Sequence, residues 1–114
     1  MQIMEEKMNI CKHKYNVITL CGSIKFKIEF MKVQEKLTLD GNIVFIPNFF
    51  NDLKKEEISL QTKKMLDEMH RQKINMSDEI YVINSGGYIG ESTKSEIEYA
   101  KLNGKKISYL EDIK

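Results

Sequence analysis

Hydrophobic positions in this chain fall into four short, nearly continuous runs, separated by stretches where they recur every three or four residues. Asn16-Val-Ile-Thr-Leu-Cys21 is brief and rich in β-branched residues, which predicts a buried strand ended by Gly22-Ser23. From Ile24 to Leu39, Phe26, Phe30, Val33 and Leu37 keep helical spacing until Asp40-Gly41-Asn42, with Ser23 as the N-cap. Ile43-Val-Phe-Ile46 reads as a second strand, closed by Pro47. The loop Asn48-Phe-Phe-Asn-Asp52 leads to a charged helix from about Leu53 to Met76, with Ile58, Met65, Leu66 and Met69 as its apolar stripe. Glu79-Ile-Tyr-Val-Ile83 is the third strand, and Asn84 to Glu91 the loop after it. A third helix starts at Ser92 or Thr93 and runs to Asn103, where Gly104 suits the C′ position. Ile107-Ser-Tyr-Leu110 is the last strand.

Strands that alternate with helices, and are themselves hydrophobic throughout, predict an α/β fold with a parallel sheet covered on both faces. Right-handed crossovers make 2-1-3-4 the simplest strand order, a small doubly wound sheet of the flavodoxin or Rossmann-like kind. Such sheets bind ligands outside the carboxyl ends of the strands, where the winding reverses between the first and third strands. Two loops meet there: Gly22-Ser23-Ile-Lys25 and Asn84 to Ser92. Residues 1–14 are polar and unpatterned, a lead-in to one domain over 15–114.

Composition narrows the function. Of 114 residues, 18 are Lys or Arg and 17 Asp or Glu, a formal charge of +1, which gives no basis for binding nucleic acid or an anionic membrane. No apolar run is long enough to cross a bilayer, and the N-terminal stretch lacks a signal-peptide core, so a cytoplasmic location is expected. Cys11 and Cys21 stand apart with no CxxC pair or His cluster, which argues against zinc and a disulfide framework; Cys21 reads as a buried thiol. Neither a Walker A loop nor a GxGxxG fingerprint occurs, and no metal or cofactor is expected.

The two loops carry the candidate chemistry. Gly22-Ser23 offers free N–H groups, a hydroxyl and a close backbone approach to an anion, with Lys25 as counter-charge; it is equally an ordinary helix cap. Gly86, Gly87 and Gly90 are half of the six glycines, in a segment that also holds Ser85, Ser92 and Thr93. That segment reads either as a cradle for phosphate or sugar, or as a turn before a capping box Thr93-Lys-Ser-Glu96. At N3, Glu96 would be held anionic by the helix dipole, a state suited to a nucleophile.

Cys21-Gly-Ser-Ile-Lys25, together with Gly86-Gly-Tyr-Ile-Gly-Glu-Ser-Thr-Lys-Ser-Glu-Ile-Glu-Tyr-Ala100, resembles the nucleoside 2-deoxyribosyltransferase family. The resemblance runs from about Val17 to Leu110 and extends to relatives that hydrolyse the N-glycosidic bond of nucleoside 5′-monophosphates. It implies that Glu96 is the nucleophile, and that Gly22, Ser23 and Lys25, with Gly90, Ser92 and Thr93, hold the sugar and any 5′-phosphate. Gly87 belongs to the same cradle, and Glu91 is placed to face the nucleobase. The implied reaction is a retaining displacement through a glycosyl-Glu96 intermediate, resolved by a second base or by water.

Two positions depart from the family pattern. Where members commonly carry an acid, eight residues before the strand-opening Asp78, this chain has His70; where many have a Tyr, it has Thr19. A histidine can protonate a leaving base near neutral pH, yet a helix descending from the second strand is expected to carry His70 away from the switch point. Asp78 reads as a strand-edge cap. A non-catalytic nucleotide-binding module that kept the cradle is the alternative. Small nucleosides or nucleoside 5′-monophosphates are the expected ligands, and a homodimer or larger homo-oligomer the expected assembly. Phe49-Phe50 is either an interface or base-stacking pair, or a lid over the core.

Overall fold

The computed structural model of the chain describes residues 14–49 and 58–113. Most of the expected lead-in (with Cys11), Phe50, and the expected helix start at Leu53 lie outside the described residues. The strands β1 (Val17–Gly22), β2 (Ile43–Phe45), β3 (Glu79–Ile83) and β4 (Lys106–Tyr109) form one parallel sheet in the order β2-β1-β3-β4. That is the order expected from the alternation of elements.

Alternate residues of β1 and β3 face opposite layers, and both layers are apolar. Ile18, Leu20 and Ile83 pack with the fully buried Phe30 of α1 (Lys27–Leu39), joined by Phe26, Val33, Leu37 and Phe49. Cys21, Ile80 and Val82 pack on the other side with Ile74 of α2 (Leu60–Asn75) and Ile97 and Ala100 of α3 (Glu91–Leu102). Phe49 meets Phe30 edge-on with centroids 5.2 Å apart, so it packs over the core as the lid reading expects.

Several expected boundaries move. Ile24–Phe26 is a 3-10 turn ahead of α1, and the Ser23 hydroxyl caps that turn by accepting from Lys25 N at 3.3 Å. Of the stripe expected for α2, Ile58 and Leu66 line the cavity while Met65 and Met69 face solvent, and the buried residues are His70 and Ile74. The hydrophobic spacing misled because the inward face of this helix carries polar side chains. Helix α3 begins at Glu91 with Gly90 as its N-cap, so Thr93 is not the cap and the capping box with Glu96 does not form.

Polar bonds pin the far end of the sheet from the crevice. Asp78 accepts from Val17 N at 2.8 Å and donates its own N–H to Val17 O, joining the starts of β1 and β3. Thr19, fully buried, hydrogen-bonds Ser77 and donates to Lys73 O at 3.0 Å, which ties β1 to the end of α2. Thr19 is thus a satisfied core position.

At the crevice end, Gly22 lines the cavity and is also required by the neighbouring strand. A Cβ there would lie 2.8 Å from the Ile83 carbonyl oxygen and 3.1 Å from Ile83 Cβ. Gly22→Ala must push β1 and β3 apart, and a loss of about 1–3 kcal/mol of unfolding free energy is expected from urea denaturation.

Candidate active site

Beyond the carboxyl ends of β1 and β3 lies a cavity of about 550 Å³, a size that suits a nucleoside or nucleotide. Its walls come from the turn at Gly22, Ser23 and Ile24, from Pro47-Asn48 after β2, from Ile58 and the inward face of α2, and from Tyr88 and the start of α3. The glycine loop is held by a side chain that sequence reading missed. Buried Asn84 donates to Glu111 O at 3.0 Å and accepts from Glu111 N at 2.8 Å, while Gly86 N donates to the Glu111 carboxylate at 2.9 Å. Gly86 and Gly87 take φ of +64° and +81°, conformations that favour glycine, so their role in the loop is to make the turn.

Of the expected site residues, Gly22, Ser23, Gly90, Glu91, Ser92, Thr93, His70 and Glu96 line the cavity. Lys25 and Gly87 are not among the lining residues. The Lys25 ammonium instead sits 3.6 Å above the Tyr88 ring, and Phe26 meets that ring edge-on at 6.0 Å. Tyr88 itself lines the cavity, an aromatic wall braced on two sides. Glu91, at the rim, lies 3.4 Å from Lys94 Nζ.

His70 does not leave the switch point. Helix α2 packs against α3 and sets His70 Nε2 3.6 Å from Glu96 Oε1 and 3.6 Å from Cys21 Sγ. The side chains of His70 and Glu96 are only 11% and 19% exposed, so both titrate abnormally. Burial raises Glu96 from the usual 4.5 to about 7; the charge of Asp67 adds to this, while Cys21, Arg71 and Ser92 oppose it. Far from the helix N-terminus, and buried, Glu96 is not held anionic as a capping residue would be. Burial, with the charge of Lys73, lowers His70 from 6.5 to about 4, against the pull of Asp67. Burial and the Glu96 charge raise the Cys21 thiol, consistent with the buried thiol expected.

At neutral pH the imidazole is therefore uncharged, and its contact with Glu96 is not an ion pair. The His70 Nδ1 atom is buried without a hydrogen-bond partner. Lys73, partly buried and with its pKa lowered by that burial, donates to Ile46 O at 2.7 Å on the cavity wall. Sequence reading missed Asp67, Lys73 and Tyr88. The first two lie one turn of α2 either side of His70, and they become visible once His70 is known to face inward.

These features define a parallel α/β protein with its crevice at the switch point. The solved structure of the 2-deoxyribosyltransferase from the psychrotolerant bacterium Bacillus psychrosaccharolyticus shares this fold, with a TM-score of 0.59. The match covers 86% of this chain and 77% of that one, at 17% sequence identity. That enzyme is described as a biocatalyst for the synthesis of antiviral and antitumoral nucleosides. No family model matches the chain, and no curated protein matches its sequence. Among the described residues, no helix is long and apolar enough to cross a membrane.

The raised Glu96 pKa has a stability consequence. Between pH 4.5 and about 7 the folded state holds a proton that the unfolded state has lost, so this contribution to stability is full below 4.5 and lost as pH rises through 7. Glu96→Gln escapes the loss. Its stability relative to the wild type should grow by up to about 3 kcal/mol from pH 4 to 8 in chemical denaturation.

Proposed function

We propose that the protein cleaves the N-glycosidic bond of a nucleoside or nucleoside 5′-monophosphate, with Glu96 as the nucleophile. The observation that carries this reading is the Glu96 carboxyl group, buried in the wall of a nucleotide-sized cavity beside a second titratable side chain, His70. The fold shared with a 2-deoxyribosyltransferase, and the motif around Cys21 and Glu96, support the same reading.

One proton serves both partners in this scheme. With Glu96 at about 7 and His70 at about 4, the free pair holds its single proton mainly on the carboxyl. Transfer across the 3.6 Å gap makes Glu96 a carboxylate and His70 an imidazolium in one step. The pKa difference sets the cost at about 4 kcal/mol, before the attraction of the new ion pair reduces it. The carboxylate then attacks the anomeric carbon as the C–N bond breaks, and the imidazolium protonates the departing base. Water or a second base displaces Glu96 from the sugar and restores the pair. Tyr88 offers a face to a planar base, and Ser23, Ser92 and Thr93 offer hydroxyls to the sugar or a phosphate.

The reading extends to a cytoplasmic enzyme working as a homodimer or larger homo-oligomer, for which the exposed Met65 and Met69 of α2 supply apolar surface. Its rival is a module that binds nucleotides without cleaving them, favoured by the protonated state of Glu96 in the free protein.

Incubation with a panel of nucleosides and 5′-monophosphates, with released base followed by chromatography, tests this. Glu96→Ala should abolish release, a loss of at least about a thousandfold. Ligand-induced thermal stabilisation with no released base would favour the binding module. For the wild type, kcat/KM should fall as pH rises above about 7, because the pair loses its proton. His70→Asn should lose about 10²- to 10⁴-fold and reverse that slope, since only ionisation of Glu96 then matters. A His70→Asn profile parallel to the wild type would exclude the shared proton.

A further inference from the structure

Cys21, His70 and Glu96 come from β1, α2 and α3, and the ligating atoms they offer lie within 4.8 Å of one another. Sulfur, imidazole nitrogen and carboxylate oxygen are the three donors that zinc takes from proteins. The individual gaps matter more than the proximity. His70 Nε2 is 3.6 Å from both Cys21 Sγ and Glu96 Oε1. That is too long for a good hydrogen bond to oxygen. It is close to the edge of a tetrahedron around a metal: zinc bond lengths of about 2.3 Å to sulfur and 2.0 Å to nitrogen or oxygen give edges of roughly 3.3–3.6 Å.

The third gap, between Cys21 Sγ and the Glu96 carboxylate, is bounded only by the 4.8 Å that encloses the donor set, so a bound cation has to draw these two groups to within a tetrahedral edge. Cys21 is fully buried and closes the site from the sheet, while His70 and Glu96 line the cavity and leave a fourth position open toward it. A thiolate, a carboxylate and a neutral imidazole together cancel the charge of a divalent cation, so no net charge is buried. A cation on Nε2 would put the imidazole proton on Nδ1, which is buried without an acceptor, so the outer partner that usually orients a metal-bound histidine must come from solvent or a small shift of the ring.

We propose that Cys21, His70 and Glu96 form a binding site for a thiophilic divalent cation of the zinc type, held at the wall of the cavity. Binding displaces the thiol proton and any proton on Glu96 into solvent and forms bonds from the metal to Sγ, Nε2 and a carboxylate oxygen, with no change of oxidation state. On the reading of Glu96 as nucleophile, the same cation takes up the attacking carboxylate and blocks cleavage.

Titration of the full chain with Co²⁺ tests the site without reference to activity. A thiolate-to-cobalt charge-transfer band should saturate at one ion per chain and be displaced by Zn²⁺. It should vanish in Cys21→Ser and persist in Cys11→Ser, which removes the other thiol. In Glu96→Gln, which keeps the side chain's volume, the dissociation constant should rise at least about tenfold, with circular dichroism confirming the fold. Absence of the band in the wild type, its survival in Cys21→Ser, or unchanged affinity in Glu96→Gln would each overturn the proposal. If cleavage is found, Zn²⁺ should suppress it in the wild type and a chelator restore it. A cobalt band in a protein that cleaves nothing would leave the metal site standing and remove the glycosidic reading alone.

Discussion

The structure depends on the close approach of β1 and β3 at the point where the chain reverses its winding. Partners on these strands are 61 positions apart in sequence and paired directly from Ile18 with Glu79 to Gly22 with Ile83. With right-handed crossovers, the reversal of winding puts α1 on one face and α2 and α3 on the other. The loops that leave the two strands diverge, and the gap between them is the cavity. Gly22 is the residue that permits this approach, since any side chain there would strike Ile83. At the opposite end, Asp78 closes the pair with two bonds to the backbone of Val17.

The same packing sets the chemistry. Cys21 lies next to Gly22 on the face that α2 and α3 cover, so the helices that bury the sheet also bury whatever they carry opposite Cys21. They carry His70 and Glu96. Desolvation then acts in opposite directions on the two groups: it favours the neutral carboxyl and the neutral imidazole. Between pH 4.5 and 6.5 their effects on stability oppose each other, because burial makes the folded protein retain a proton on Glu96 and refuse one on His70. A site that is costly to charge is thereby kept without net charge between about pH 4 and about 7, where Glu96 begins to ionise.

Much of the fold was legible in the sequence because it rests on periodicity. The four hydrophobic runs, their alternation with helices and the 2-1-3-4 order all appear as expected. The errors cluster on α2 and α3, for one physical reason. Helical spacing identifies apolar residues, and where the buried face carries polar ones it points the wrong way. Of the expected stripe, Met65 and Met69 face solvent, while the inward face presents Asp67, His70 and Lys73 beside Leu66 to the cavity. Glu96 was singled out as a nucleophile held anionic at N3, and it does line the cavity, but the start of α3 at Glu91 rules out the N3 position and the capping box.

Convergence is what a single sequence hides best. Cys21, His70 and Glu96 are separated by forty-nine and twenty-six positions, and no local motif links the three. Taken one at a time, each has a bland reading: a core thiol, a helix histidine, a glutamate in a helical first turn. The fold removes those readings by placing the three donor atoms in one desolvated spot. Cys21 has no counterpart among the groups expected to react, yet it contacts the histidine from beneath and influences the carboxyl. Changes in the sheet at this position should therefore reach the site through the protonation of the pair, even though the thiol itself is fully buried behind His70.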